Sequence, residues 1–401
     1  MDKNPKQPID ALVKDAVFAA DSQLQDEQRH KIRQLAAERG IFPASIQGLY
    51  QAAAKGLYHN ISVPAINLRG LTYHMARAIF RAAMKGRVGA FIFEIARSEM
   101  GYTKQRPAEY AACVLAAAIR EGFQGPIFLQ GDHFKVDPSK YSSQPAEELK
   151  DIEGLVRESL EAGFLNIDID ASALVDLTKP SLKEQQAANS LVTAGMTRFI
   201  RRLEPKGVTV SIGGEVGEVG KRDSTIADLR AFMAGYLRLL GPNIRGISKV
   251  AVQTGTVHGG IVLPDGSVAG ARVNFKTLKE LSRVARQEYT LGGAVQHGAS
   301  TLPEKTFNLL ARAGALEVHL ATGFQNLIYD SPYFPRELLD EIYRHLLDKY
   351  SSGRKEGQTE QQFLYKTRKK AFGDFKQQMW GLPEENLGKI REALENQFAS
   401  L

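Results

Sequence analysis

The 401-residue chain is poor in several features that often decide a protein's location or chemistry. Cys113 is its single cysteine, which excludes an internal disulfide and a zinc cluster built from thiolates. The longest purely apolar run, residues 111–119, is far shorter than the ~20 residues that span a bilayer. The first residues, MDKNPKQPID, contain no apolar core of a secretory signal. These absences predict a cytoplasmic protein without a membrane partner.

The chain also lacks a strong excess of one charge. It has 52 Lys and Arg against 45 Asp and Glu, a net charge of +7. The basic residues are spread along the sequence, whereas a nucleic-acid-binding protein usually gathers them on one face. This balance favours an anionic small-molecule substrate and argues against a nucleic-acid partner. Because 43% of the residues are apolar and 24% charged, global disorder and a fibrous structure are excluded.

From Val63 onwards, short apolar segments alternate with amphipathic, helix-like stretches that end in glycine. The apolar segments are residues 63–68, 88–95, 126–133, 164–172, 208–215, 249–259, 293–300 and 316–323. Strands that alternate with helices pair in parallel through right-handed crossovers. Eight such units in roughly 260 residues predict a (β/α)8 TIM barrel. A doubly wound open sheet is the alternative, although it usually has fewer strands.

This pattern divides the chain into three regions. Residues 1–60 are polar and helical and predict an N-terminal extension. Residues 61–330 contain the alternating segments and predict the catalytic barrel. Residues 331–401 are charged, with aromatic residues among the charges, and predict a helical C-terminal tail that packs on the barrel.

Polar residues collect where the predicted strands end, and in a TIM barrel these ends form the active site. The polar residues at these ends include Asp132, His133, Asp168, Asp170, Ser172, Glu215, Thr254, Thr256, His258, His297, Ser300, His319 and Thr322. Four of the chain's eight histidines belong to this group. The other four lie in helical or loop segments and are interpreted as surface or packing residues: His30, His59, His74 and His345.

Three of the strand-end histidines, His133, His258 and His297, come from separate strands and would point at one barrel mouth. Imidazole is the commonest zinc ligand, and a catalytic zinc typically keeps three protein ligands and one open position. The pattern therefore predicts one zinc, or another divalent ion, per chain. The alternative is that each histidine is an ordinary hydrogen-bonded residue.

Glycines follow two of these histidines, in loops 258–260 and 297–300. Backbone N–H groups of such loops can bind phosphate, and TIM barrels often bind phosphate at their last loops. Gly259, Gly260, Gly298 and Ser300 are therefore candidate phosphate-binding residues. The alternative is that glycine is simply common in tight turns.

Five motifs resemble, in order and spacing, those of the class II, metal-dependent fructose-bisphosphate and tagatose-bisphosphate aldolases. They are GDH at 131–133, NIDIDAS at 166–172, EVGEVG at 215–220, TGTVHGG at 254–260 and HGAS at 297–300. The resemblance runs from 63 to 324 and resumes at KTRKKAFGDFK, 366–376, covering about two-thirds of the chain. Arg368 in this last segment resembles the arginine of the family's tail motif.

The resemblance implies roles for individual residues. His133, His258 and His297 would be the zinc ligands, and Glu215 would match an alternative metal contact of the family. Asp132 would be the acid/base on the hydroxyl next to the cleaved bond.

Two further assignments concern the proton-abstracting base and the substrate contacts. Asp223 falls where the family has an acidic residue on a mobile loop, with Glu218 as a competing candidate for the base. His319 and Thr322, at the last strand end, are expected to contact the substrate.

The function that these roles imply is reversible aldol cleavage of a phosphorylated ketose through a metal-stabilised enediolate. A zinc ion acts in such chemistry as a Lewis acid, and a carboxylate beside it takes or returns a proton. A phosphorylated sugar is therefore the expected small-molecule partner, and the protein is expected to be a homo-oligomer.

Several positions depart from the pattern of the catalytic members. Gln130 stands where they commonly have a histidine, Val262 replaces a lysine near the phosphate, and Ala299 replaces a glycine. The strand end Asn-x-x-Thr-Asp becomes His-Leu-Ala-Thr-Gly at 319–323. Metal and acid/base positions are thus kept while substrate contacts change.

Two alternative functions remain open. The loss of the lysine at 262 motivates a metal-dependent epimerase or aldolase that acts on a non-bisphosphate sugar or sugar acid. Glu94, in FIFEIARSEMGYT, resembles the non-catalytic accessory subunits of tagatose-bisphosphate aldolase. Metal content would separate an accessory subunit from the two enzymes.

Overall fold

The computed structural model describes residues 8–217, 222–257, 259–269 and 272–401. Its strands are β1 Ile41–Pro43, β2 Val63–Asn67, β3 Ile92–Ala96, β4 Gly125–Lys135, β5 Asn166–Asp170, β6 Ser211–Glu215, β7 Lys249–Val252, β8 Ile261–Val262, β9 Val268–Ala269, β10 Ala294–Gln296 and β11 Ala315–Leu320.

Helices follow most of these strands. They are α1 Ile9–Phe18, α2 Ser22–Ala37, α3 Gln47–Ala54, α4 Thr72–Gly86, α5 Arg97–Tyr102, α6 Pro107–Glu121, α7 Pro138–Ser143, α8 Pro145–Glu161, α9 Leu182–Gln185, α10 Ala187–Leu203, α11 Ile226–Leu240, α12 Phe275–Tyr289, α13 Lys305–Arg312, α14 Thr322–Tyr329, α15 Arg336–Tyr350, α16 Glu360–Thr367, α17 Ala371–Asp374, α18 Lys376–Trp380 and α19 Glu384–Ala399. Short 3₁₀ turns lie at Ser172–Leu174, Ser351–Gly353 and Arg368–Lys370.

Within the described residues, eight parallel strands close into a barrel in the order β4-β3-β2-β11-β10-β7-β6-β5, and β5 pairs back with β4. The predicted (β/α)8 fold is confirmed, and the open sheet is excluded by this closure. Each predicted apolar segment overlaps one barrel strand. Several observed strands are shorter, as in β7, because the polar end of the segment leaves the ladder and forms the mouth of the barrel.

Strand β1 interrupts the N-terminal region that the sequence predicts to be helical. It pairs in parallel with the start of β4, with Ile41 opposite Gly125. The eleven-residue β4 extends past the barrel at this end, so its first residues offer a free edge, and Ile41 is buried there. The chain then enters α3, whose Tyr50 is fully buried and donates a hydrogen bond to Glu317 inside the barrel.

The main hydrophobic core fills the space between the barrel strands and the surrounding helices. The apolar run 111–119 is the buried middle of α6, which packs between α4 and the N-terminal helices α1 and α2. Alanine at several of these positions lets the neighbouring helices approach closely. The apolar run is therefore explained by helix packing inside the protein. None of the described helices combines the length and the apolarity that crossing a bilayer needs.

The C-terminal helices pack against the first helix of the barrel. Helix α19 lies along α4, and the Trp380 Nε1–H donates to the Gly70 carbonyl at 2.8 Å. The Phe324 and Phe398 rings lie 4.2 Å apart between centroids. The boundaries near residues 60 and 330 stay a prediction.

His74 of α4 provides a test of this packing. Arg391 of α19 donates to His74 Nδ1 at 3.1 Å, so the ring accepts and is neutral. Burial, with Arg391 and Arg77 nearby, lowers the pKa of His74 from 6.5 to about 3. Between these pH values only the unfolded chain takes up the proton, so the native state loses stability as pH falls.

We expect protonation of His74 in the unfolded chain to lower the free energy of unfolding by about 2 kcal/mol between pH 7 and pH 5. The measurement is the free energy of unfolding in urea at both pH values, in the wild type and in His74→Gln. Glutamine can still accept from Arg391 but does not titrate, so the variant should lose less stability on acidification. Equal losses in the two proteins would contradict the neutral His74.

Candidate active site at the barrel mouth

A bulge in β4 brings two neighbouring side chains into the same cavity. The pairing of β4 with β5 shifts register between Gly131 and Phe134, and His133 has a φ of +41°. Successive side chains of a regular strand point to opposite faces, so Asp132 and His133 would otherwise diverge. A left-handed backbone is costly for a residue with a Cβ and is often found at functional sites.

The bulge faces a cavity of about 510 Å³ at the carboxyl ends of the strands. Ten of the twelve predicted site residues line it: Asp132, His133, Glu215, Gly259, Gly260, His297, Gly298, Ser300, His319 and Thr322. His258 and the competing base candidate Glu218 lie outside the described residues.

Asp223 is the predicted residue that the structure does not bring to this cavity. It lines a separate cavity with Ser172 and Arg222, and its Oδ2 accepts from Asn274 Nδ2 at 3.2 Å. Residues 218–221, which precede it, lie outside the described part of the chain. A role of Asp223 as the proton-abstracting base stays a prediction.

The nitrogens of two histidine rings meet at the centre of the cavity. His133 Nε2 lies 3.1 Å from His297 Nδ1, and the ring centroids are 4.2 Å apart. On its other side, His133 Nδ1 lies 3.2 Å from Asp170 Oδ2 and 3.1 Å from Glu215 Oε2. A carboxylate behind an imidazole is the usual second-sphere arrangement of metal-ligating histidines.

Buried carboxylates dominate the electrostatics around these rings. Burial opposes a charge on His133, but Asp132 and Glu215 raise its pKa well above the ordinary value. Burial, with Asp170 nearby, raises the pKa of Glu215 to about 7, although His133 opposes this shift. The cluster therefore favours a positive charge at its centre, from a proton or from a cation.

Below the mouth, the barrel interior contains a polar layer that the sequence interpretation missed. Lys249 Nζ donates to Glu317 Oε1 at 2.6 Å, to Gln130 Oε1 at 2.7 Å and to Asp168 Oδ2 at 3.0 Å. TIM barrels usually fill this space with branched apolar side chains. The available signal was a charged residue inside an apolar segment, as Lys249 in KVAV and Glu317 in LEVHL.

The rim of the cavity contains cations that were also missed. Lys366 and Lys369 line it, whereas the predicted tail residue Arg368 turns away and pairs with Asp330 at 2.5 Å. Burial and nearby Arg69 lower the pKa of Lys369. A local motif cannot show which of these neighbouring side chains faces the cavity.

A family model described as "Fructose-bisphosphate aldolase class-II" matches residues 45–379. No curated protein matches the chain.

Many solved structures match the chain, and two of them illustrate the shared fold. A probable tagatose 6 phosphate kinase from Sinorhizobium meliloti 1021 is 17% identical, with a TM-score of 0.57, and the match covers 83% of this chain and 86% of that one. The fructuronate-tagaturonate epimerase UxaE from Cohnella laeviribosi is 12% identical, with a TM-score of 0.63, covering 94% of this chain and 85% of that one. At such identities the likeness concerns the fold alone.

The buried Lys249 predicts a large stability effect. Lys249→Met removes the cation that balances Glu317 and Asp168, and breaking a buried pair typically costs about 3–5 kcal/mol. The measurement is the free energy of unfolding, with Lys279→Met on the exposed face of α12 as the control, expected within about 0.5 kcal/mol of wild type. Adding Glu317→Gln should recover part of the loss. Equal stabilities of the two lysine variants would contradict the pairing.

Proposed function

Because the chain belongs to the class-II fructose-bisphosphate aldolase family, we propose that it is a metal-dependent aldolase that reversibly cleaves a ketose phosphate or bisphosphate. The observation that carries the proposal is the meeting of His133, His297 and Asp132 in one cavity with the glycine-rich loops. The proposal includes a cytoplasmic location and a homo-oligomeric assembly, as the sequence predicts.

The donor set at the mouth suits one divalent ion, with zinc as the first choice. Asp132, His133 and His297 each offer a ligand atom, and these atoms lie within 4.8 Å of one another. Imidazole nitrogen with carboxylate oxygen is a usual zinc environment. We assign His133 and His297 as ligands, with His258 as the third and Glu215 as an alternative contact. A bound ion would supply Lewis-acid stabilisation of the negative charge that develops on the ketone fragment.

Asp132 is suited to move the proton of the substrate hydroxyl. Burial opposes its ionisation, but His133 and His319 hold the pKa of this carboxyl well below its usual range. Asn67 Nδ2 donates to Oδ2 at 3.1 Å and orients the group. An ionised, oriented carboxylate next to the histidines can accept a proton during cleavage and return it during condensation.

The glycine-rich loops support binding of an anionic group. Gly259, Gly260 and Gly298 have φ values of +76°, +73° and +69°, a backbone conformation that favours glycine. Together with the Ser300 hydroxyl, N–H groups in such loops can bind one phosphate. The lysines at the rim add positive charge on the same cavity, which favours an anionic substrate.

A second candidate is an epimerase or aldolase that acts on a sugar acid or another non-bisphosphate sugar. The observation that favours it is Val262, which lines the cavity where catalytic members commonly have a lysine. An accessory subunit without activity is the third possibility, and its expected property is the lack of a stoichiometric metal ion.

The direct test is a retro-aldol screen of the metal-loaded protein against ketose monophosphates and bisphosphates. We expect release of a triose phosphate by the wild type and loss of both metal and activity in His297→Ala. Unphosphorylated ketoses and sugar acids are the comparison substrates. Epimerisation of a sugar acid without cleavage of any ketose phosphate would favour the second candidate, and a protein without bound metal would contradict the catalytic proposal.

Asp132→Asn tests the role of Asp132 in proton transfer while the ion held by the histidines stays bound. The variant should keep that ion, because no histidine is lost, and should lower kcat by roughly 10²–10⁴, the usual effect of losing a general acid/base. The measurement is kcat, together with the metal content of each sample. The control is Asp151→Asn in α8, whose half-exposed side chain pairs with Lys140 outside the cavity and should leave kcat unchanged. Wild-type turnover of Asp132→Asn would remove Asp132 from the mechanism.

A further inference from the structure

A second group of possible ligands lies on the floor of the same cavity. Glu94 of β3, Asp132 of β4 and His319 of β11 are exposed by 0%, 4% and 4%, respectively. They come from three barrel strands, and each offers one ligand atom within 4.8 Å of the other two. Asp132 and His319 also line the cavity, so the group is continuous with the space open to small molecules.

Each of these three side chains is fixed by a hydrogen bond through one of its two polar atoms. The bonds are Gln130 Nε2 to Glu94 Oε2 at 2.8 Å, Asn67 Nδ2 to Asp132 Oδ2 at 3.1 Å, and His319 Nε2 with Glu317 Oε1 at 2.6 Å. Glu317 behind His319 is the carboxylate partner that metal-ligating imidazoles usually have. The three groups are therefore held in place by residues behind them.

The second polar atom of each side chain is buried and lacks a hydrogen bond to any described residue. These atoms are Glu94 Oε1, Asp132 Oδ1 and His319 Nδ1. Nδ1 lies 3.1 Å from the first oxygen and 3.2 Å from the second, but neither contact has hydrogen-bond geometry. Buried polar atoms are almost always hydrogen-bonded, and these three face one another at ion-pair distances without a well-aligned hydrogen bond, an arrangement that suits a cation shared among them.

The separations of these atoms match ligands of one ion. Zinc–nitrogen and zinc–oxygen bonds of about 2.0–2.2 Å, at angles between octahedral and tetrahedral, put ligand atoms roughly 3.0–3.4 Å apart. Two carboxylates and one imidazole suit a divalent transition metal. The neighbouring cation Lys249 donates to other groups, so the partner that these two carboxylates share is His319.

We infer that Glu94, Asp132 and His319 form a second divalent-cation site beside His133 and His297, with Asp132 shared between the two. Asp132 Oδ1 lies 3.7 Å from His133 Nε2, which connects the two ligand groups. The inference deepens the proposed function, on which it rests for the first ion. It makes the cavity a two-ion centre, an arrangement in which both ions can act on the oxygens of one substrate.

The test is the zinc stoichiometry of the full-length protein. The protein is stripped with a chelator, titrated with Zn²⁺, separated from free metal and analysed by mass spectrometry. We expect two equivalents in the wild type and one in Glu94→Gln and in His319→Asn. Glutamine keeps the size of Glu94 and can still accept from Gln130. His345→Asn, a matched histidine change beside Asp374 and away from the cavity, should keep two.

The outcomes separate this inference from the proposed function. One equivalent in the wild type, unchanged by Glu94→Gln, overturns the second site and identifies the group as a protonated His319 between carboxylates, while the aldolase proposal stands. Zero equivalents contradict both. Two equivalents that persist in Glu94→Gln and His319→Asn place the second ion elsewhere and also overturn the inference.

A measurement on the unmodified protein decides the question if the variants do not fold. With Mn²⁺ in place of Zn²⁺, two ions that share Asp132 should give the electron paramagnetic resonance spectrum of a coupled pair. Spectra of isolated Mn²⁺ ions alone, at saturating metal, would overturn the shared site. Circular dichroism and thermal melting of each variant establish which of the two measurements applies.

Discussion

The charge of Lys249 inside the barrel is the constraint on which the site geometry depends. A buried ammonium is stable only when carboxylates compensate it at close range, and Glu317 and Asp168 do so. Glu317 also contacts His319 at 2.6 Å and accepts from Tyr50, which enters from the opposite end of the barrel. The Glu317 carboxylate thus connects Tyr50 at the bottom of the barrel with His319 at its mouth. The orientation of the side chains at the mouth is therefore set from below as well as by the loops around them.

The mouth itself depends on a local break in strand geometry. Asp132 and His133 are neighbours in the sequence, and a regular β4 would send one of them into the surrounding helices. The register shift between Gly131 and Phe134 and the left-handed His133 turn both side chains inward. Backbone strain at this point is compensated by the contacts of His133 with the carboxylates around it. The adjacent Asp and His of the GDH motif can therefore both line the cavity only because β4 contains this bulge.

Hydrophobic periodicity explains which parts of this structure could be predicted from the sequence. Hydrophobic periodicity located the eight barrel strands, and because parallel strands end at one edge, ten of the twelve predicted site residues lie in one cavity. Strand β1 was not predicted, because three residues are too few to show a periodic pattern and their partner near Gly125 is distant in the chain. Sequence could not decide between Arg368 and Lys369 at the rim, since helix geometry turns adjacent side chains apart and only the packed tail fixes which one faces inward.

Two of the departures from the family pattern, Gln130 and His319, contact the same pair of glutamates. Gln130, which replaces a histidine, donates to Glu94 and Glu317 and accepts from Lys249. His319, which replaces an asparagine, contacts the same two glutamates. A glutamine offers two N–H donors and a carbonyl acceptor, so it can bridge two carboxylates and a lysine. A neutral imidazole has one donor and one acceptor, and an imidazolium has two donors and no acceptor, so neither form can make all three bonds. The two side chains are therefore parts of one hydrogen-bonded network, and a substitution of either one changes the partners of the other.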